Sequence, residues 1–271
     1  MKEIRKLLRV AIVFLAVMTV QPLAAAKKPQ SVKPSSVDPG AKEALRRMSD
    51  YLSGLNSFKV HVQTTREVIL SSAQELDSDH AFDLEVQRPD HLRADLRSAA
   101  GERQFFYDGE SVTVYTPKLK YYAVFPAPST IDGMFQEAAA KYGLEMPTAD
   151  FICGDPYRAL TKGVISGLYV GESQVDGTNC HHLAFRQKSV DWQIWIQDGP
   201  TPLPGKFVIT DRAQRGAPRF TAVFSGWDVN PSLDASIFTF VPEQGARKID
   251  IVNVRGLKSK QMPRGKYVPN R

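Results

Sequence analysis

From Phe58 to Val229 apolar and polar residues alternate with a period of two, with one interruption at mid-chain. Phe58, Val60 and Val62 are separated by Lys59, His61 and Gln63. Successive side chains of a strand face opposite sides of a sheet, so this pattern describes strands buried on one face. The same alternation marks strands at about 80–87 (Phe82, Leu84, Val86), 91–97 (Leu92, Ala94, Leu96), 103–107, 111–116 and 119–125. It resumes at about 163–176, 179–187, 190–197, 205–212 and 217–229. Asp108-Gly109, Asp176-Gly177, Lys188-Ser189 and Arg215-Gly216 fall between strands and read as turns. About 10–11 strands that pair with their chain neighbours predict one antiparallel sheet.

The interruption is helical. Ser129 or Thr130 can cap a helix to residue 142, and residues 148–161 read as one or two short helices started by Thr148 and Asp155-Pro156. A longer helix precedes the first strand. Asp38 is its N-cap, Pro39 its first residue, and Ala41, Ala44, Leu45, Met48, Leu52 and Leu55 recur at intervals of three and four. Those apolar faces need a surface to bury against, and the concave face of a curled sheet offers one. The expected fold is therefore α+β: an unclosed antiparallel half-barrel with a long N-terminal helix and a mid-chain helical lid. The apolar space between sheet and helices is a typical site for a hydrophobic ligand.

Charge locates the ends of this domain. The net charge of +6 suggests an anionic partner only if it lies on the folded surface. It does not: residues 1–26 carry four bases against Glu3, and residues 246–271 carry eight against Asp250, which leaves the stretch 41–245 acidic. Nucleic acid is thereby excluded as the expected partner. Lys2 to Arg9, the apolar run Val10–Val20 and Ala24-Ala25-Ala26 follow the order of an export signal, with cleavage between Ala26 and Lys27. The run is shorter than the roughly 20 residues that span a bilayer, so no transmembrane anchor is expected after cleavage. The organisation expected is a signal peptide at 1–26, a flexible leader at 27–38, the half-barrel at 39–252 and a disordered basic tail at 253–271. The location is the bacterial periplasm. In that oxidising compartment the two cysteines, Cys153 and Cys180, are expected to form one disulfide.

Two blocks then resemble a known family. Tyr107-Asp108-Gly109-Glu110-Ser111-Val112-Thr113-Val114-Tyr115, followed by Tyr121-Tyr122-Ala123-Val124, is similar to the hairpin of periplasmic lipoprotein-carrier proteins, the LolA/LolB-like superfamily. The segment Asp234–Ala246 resembles their C-terminal motif, with Ser236, Phe238, Phe240, Pro242 and Gly245 in place. Within that superfamily the chain looks most like an uncharacterised periplasmic family, to which Cys180-His181-His182-Leu183 and Trp192–Ile196 are similar. The resemblance covers residues 41–252. It implies the unclosed barrel with a helical lid, and a cavity that shields acyl chains. Other members bind different lipids or act as envelope sensors, so a protein-interaction or stress-sensor module is the alternative.

No catalytic residues, metal ligands or cofactor are expected. His181 and His182 are adjacent on a strand and face opposite sides, so they cannot easily share a metal with Cys180. Asp108, Glu110, Asp176 and Asp191 sit at turns, and no nucleophile elbow, zinc-protease motif or phosphate loop occurs. The candidate ligand contacts are Phe82, Leu84, Phe105, Tyr107, Val112, Val114, Trp192, Ile194 and Ile196. Phe106 and Trp195 point the other way on their strands, so alternation alone leaves open which face is concave. The expected function is non-catalytic binding of a lipid or acyl chain, with an envelope protein as the alternative partner.

Overall fold

A computed structural model describes residues 36–144, 146 and 148–251. The signal peptide with its Ala26/Lys27 cleavage site, most of the leader and nearly all of the basic tail lie outside the described residues.

Asp38 accepts hydrogen bonds from the backbone N–H of Gly40 (2.8 Å) and Ala41 (3.1 Å), which caps helix α1 (Pro39–Ser53). Proline at the first position needs no donor there, and Gly54 ends the helix. Ala41, Leu45, Met48 and Leu52 form its buried face.

Eleven strands and two helical segments follow, and a twelfth, short strand closes the described chain. The strands are β1 (Ser57–Ile69), β2 (Glu75–Gln87), β3 (His91–Ser98), β4 (Gly101–Tyr107), β5 (Ser111–Thr116) and β6 (Tyr121–Pro126). Helices α2 (Ile131–Tyr142) and α3 (Pro156–Thr161) flank a 3-10 turn at Ala149–Phe151. Then come β7 (Ser166–Val175), β8 (Thr178–Arg186), β9 (Val190–Gln197), β10 (Pro204–Asp211), β11 (Arg219–Val229) and β12 (Arg247–Lys248). All twelve belong to one sheet in the order β12-β6-β5-β4-β3-β2-β1-β11-β10-β9-β8-β7. Neighbours are antiparallel except for β12, which lies parallel to β6. The two edges do not pair with each other, so the sheet is the unclosed half-barrel of the expected α+β class.

The first and last long strands meet at the middle: Val62 of β1 lies between Phe82 of β2 and Phe224 of β11. Residues directly opposite one another share a face. One face can thus be followed from Phe125 through Val112, Tyr107, Leu92, Val86 and Phe58 on one side. On the other it runs through Phe207, Ile194 and Leu183. The helices pack on this inner face. Phe151 sets its ring against Phe207 and Phe224, and Tyr142 of α2 meets Phe125. Burying each such side chain contributes roughly 1.5–3 kcal/mol.

Among the described residues, the C-terminal segment covers one end of the outer face. Phe240 packs on Phe106, Tyr115 and Tyr122, with ring centroids 4.9–5.4 Å apart, and Phe238 meets the edge of His91. The C-terminal motif is thus a strap across the back of β3–β6, continued into β12. Alternation foresaw neither. A two-residue strand has no period to detect, and the strap's aromatics find their partners on residues some 120–150 positions earlier in the chain.

Candidate ligand-binding site

The inner face is filled from β7 to β10 and over one end of β1–β4, and is hollow over the other end of β1–β4, at Thr64, His80, Leu96 and Phe105. In the filled half Trp192 stacks on Phe185 and touches Phe207, while Ile194 and Ile196 are fully buried. Tyr107 and Val112 are likewise buried, with the Tyr107 hydroxyl donating to the Pro128 carbonyl at the start of the lid. Val114 is half-buried against the same core. Of the nine expected ligand contacts, these six pack in the core away from the cavity described next.

The hollow half contains a cavity of about 240 Å³. Phe82 and Phe105 line it, and Leu84 lies beside its floor, at a void of about 10 Å³ shared with Phe151. Ala94, Leu96 and Phe220 complete its apolar wall, and Met146 and Thr148 close it from the lid side. Its polar groups are Thr64, Arg66 and His80, all on the inner rungs of β1 and β2. Sequence reasoning missed these three. The available signal was that the register of Val60 and Val62 continues through Thr64 and Arg66 within a single uninterrupted strand.

Thr148 stands out in this wall. It precedes the 3-10 turn yet makes no capping hydrogen bond, and its hydroxyl has no partner among the described residues although the residue is only 2 % exposed. A buried polar atom left unpaired costs about 1–3 kcal/mol. The residue lines the cavity.

The titratable groups singled out in the sequence do not converge. The Tyr169 hydroxyl lies 2.8 Å from His181 Nδ1, and His181 Nε2 lies 3.1 Å from Asp198. His182 faces the other side, stacked on Trp195 at 4.0 Å with Nε2 near the Gln193 amide oxygen, and burial lowers its pKa. Asp191 is held by Arg186 and Arg212, and the Arg186 hydrogen bond keeps its carboxyl below the usual range. Among the described residues no group of three His, Cys, Asp or Glu side chains could hold a metal.

The expected disulfide is corrected: Cys153 and Cys180 are free thiols. Cys153 follows the 3-10 turn on the inner side, its Sγ donating to the Asp150 carbonyl. Cys180 sits opposite Gln197 on β9, on the rung between the inward His181 and the turn, so it points outward. The sheet lies between them. Burial, with Asp132 nearby, pushes the Cys153 thiol up to about 11, and burial also raises Cys180. Thiolate is the reactive form, so native protein should react slowly with a thiol reagent at pH 7.5. Unfolded protein should titrate two thiols without any reductant; a count of zero would restore the disulfide.

Solved structures similar to this protein include lipoprotein LppX of Mycobacterium tuberculosis, at 15% identity and a TM-score of 0.47, over 73% of this chain and 99% of that one. A LolA superfamily protein of Nitrosomonas europaea matches at 10% identity and a TM-score of 0.40, over 74% and 97%. The MucA/MucB complex of Pseudomonas aeruginosa matches at 16% and 0.41, over 74% and 61%. No curated protein is a significant match. The family model described as predicted periplasmic protein (DUF2092) matches residues 41–252, which takes in the whole sheet and nearly all of its helices, and the chain belongs to that periplasmic family.

Proposed function

We propose that this protein is a non-catalytic periplasmic binder of a hydrophobic ligand, a lipid or a single acyl chain, held in the cavity over β1–β4. The observation that carries this reading is the cavity of about 240 Å³, walled by Phe82, Leu96, Phe105 and Phe220, with a buried unpartnered hydroxyl in its lid. Apolar side chains normally close such a space, as they do at the other end of the same face. A hollow kept open beside well-packed neighbours is the arrangement of small-molecule sites, which are mostly apolar with a few placed polar groups. A role in lipid or lipoprotein transport would use the same site.

The test is extraction and occupancy. Protein purified from the periplasm should yield lipid by organic extraction and mass spectrometry. Once stripped, it should bind the uncharged fluorophore N-phenyl-1-naphthylamine. Leu96→Trp, which fills the cavity from a half-buried position, should weaken that probe at least tenfold while the protein stays folded by circular dichroism. If nothing is extracted and the probe does not bind, or if Leu96→Trp leaves probe binding intact, the site is not this cavity.

A further inference from the structure

The strand register sorts the charges of β1–β4 by face, and this bears on the chemistry of the ligand. The inference rests on the reading of the inner cavity as a ligand site. Along β1 and β2 the rungs Lys59–Glu85, His61–Asp83, Thr65–Asp79 and Glu67–Asp77 alternate with Val60–Leu84, Val62–Phe82, Thr64–His80 and Arg66–Ser78. The first set points outward and the second inward. Across β3 and β4, Asp95–Gln104 and Arg97–Glu102 point outward, whereas Leu96–Arg103 points inward. Every carboxylate in these four strands therefore lies on the outer face, while the inner face carries Arg66, His80 and Arg103.

Several of the outer charges are paired. Lys59 meets Glu85 at 2.7 Å, Arg93 meets Asp95 at 2.9 Å, and Asp83 is shared by His61 and Arg97. The inner basic side chains are not. Arg66, His80 and Arg103 have no hydrogen-bond or ion-pair partner among the described residues; Arg66 has only the Phe220 ring, 5.7 Å from its guanidinium carbon. Arg66 and His80 line the cavity, and Arg103 lies one rung away, opposite Leu96. A cationic end on an apolar hollow, with no acid on the same face of these strands, matches an oxyanion attached to a hydrocarbon. The buried Thr148 hydroxyl adds a hydrogen-bond group inside the same wall.

We infer that the cavity takes a single-chain anionic amphiphile. The chain lies among Phe82, Leu96, Phe105 and Phe220, and the carboxylate or phosphate head meets Arg66 and His80. One chain suits the space, because about 240 Å³ falls just under the roughly 300–1,000 Å³ of ordinary ligand pockets.

The experiment displaces N-phenyl-1-naphthylamine from the stripped protein with decanoate, decyl phosphate, decanol and decyltrimethylammonium, each below its micelle concentration. The anions should act at concentrations at least tenfold lower than decanol or the cation. Whichever of decanoate and decyl phosphate acts at the lower concentration identifies the head. The doubly substituted Arg66→Gln/Arg103→Gln protein should lose that preference and keep its affinity for decanol, which shows that the cavity survives. Arg66→Lys should retain part of the preference. Equal displacement by decanol and the anions, or a preference that persists in the double variant, overturns the anionic head and leaves the hydrophobic site standing. Failure of the probe itself to bind removes the site, and the amphiphile with it.

Discussion

Phe151→Ala should lower the melting temperature by roughly 6–20 °C, the largest stability effect expected of any lid residue. Phe151 is 2 % exposed and sets its ring edge-on to Phe207 (5.0 Å) and Phe224 (5.3 Å), the inner-face residues of β10 and β11. Truncating a buried phenylalanine costs about 3–5 kcal/mol, because transfer energy is lost and the vacated space collapses only partly. In a domain of this size each kcal/mol corresponds to about 2–4 °C. The consequence extends to function. Thr148 and Met146 precede Phe151 in the same segment and close the cavity. Without its anchor that segment should loosen, so binding of the uncharged probe should weaken in the variant even at temperatures where the sheet is intact. Calorimetry and probe titration on one preparation check both parts. A loss under about 1 kcal/mol would mean that the lid is held by something other than this ring.

Phe238→Ala tests the opposite face. Phe238 is fully buried and packs edge-on against His91 at 5.2 Å, and the same principle gives about 3–5 kcal/mol for its truncation. Phe240→Ala should cost less, since that ring is only half-buried on Phe106, Tyr115 and Tyr122. Chemical denaturation should rank the two variants in that order. Limited proteolysis should cut first between residues 230 and 246 in Phe238→Ala. A reversed order would place the strap's anchor at Phe240. The C-terminal motif then has a structural role: it shields the apolar outer residues of β4–β6, which would otherwise form an exposed patch next to the edge of the sheet.

How much was legible in advance follows from the range of each interaction. The face shared by Phe82, Leu84 and Val86 was legible because alternation is written into consecutive residues. Whether Phe105 or Phe106 faced inward was not, since a period of two is symmetric and both positions are apolar. The helices decided it by packing on the Phe105 side, and the strap then covered Phe106. The cysteines show the same limit. Their spacing and compartment suggested a bond, but strand parity turned Cys180 outward and the lid kept Cys153 inside. Among the expected ligand contacts, Trp192 and Ile194 share the pattern of Phe82 and Phe105 but do not line the cavity that those two line. The difference is that α1 and Phe151 pack over that half, whereas among the described residues Met146 and Thr148 line the other end from the lid side.

What the amino-acid sequence by itself determined here is local: the cap at Asp38, the strands, their turns, and the order that makes neighbours pair into an antiparallel sheet. Capping, period and turn chemistry each act within a few residues, so they can be read without the fold. Only the tertiary structure decided that β1 and β11 join the two halves, which face is concave, and where packing stops short. Those outcomes depend on side-chain volumes meeting across more than a hundred residues. The same long-range register gathers Arg66, His80 and Arg103 on one face and leaves every carboxylate of β1–β4 on the other.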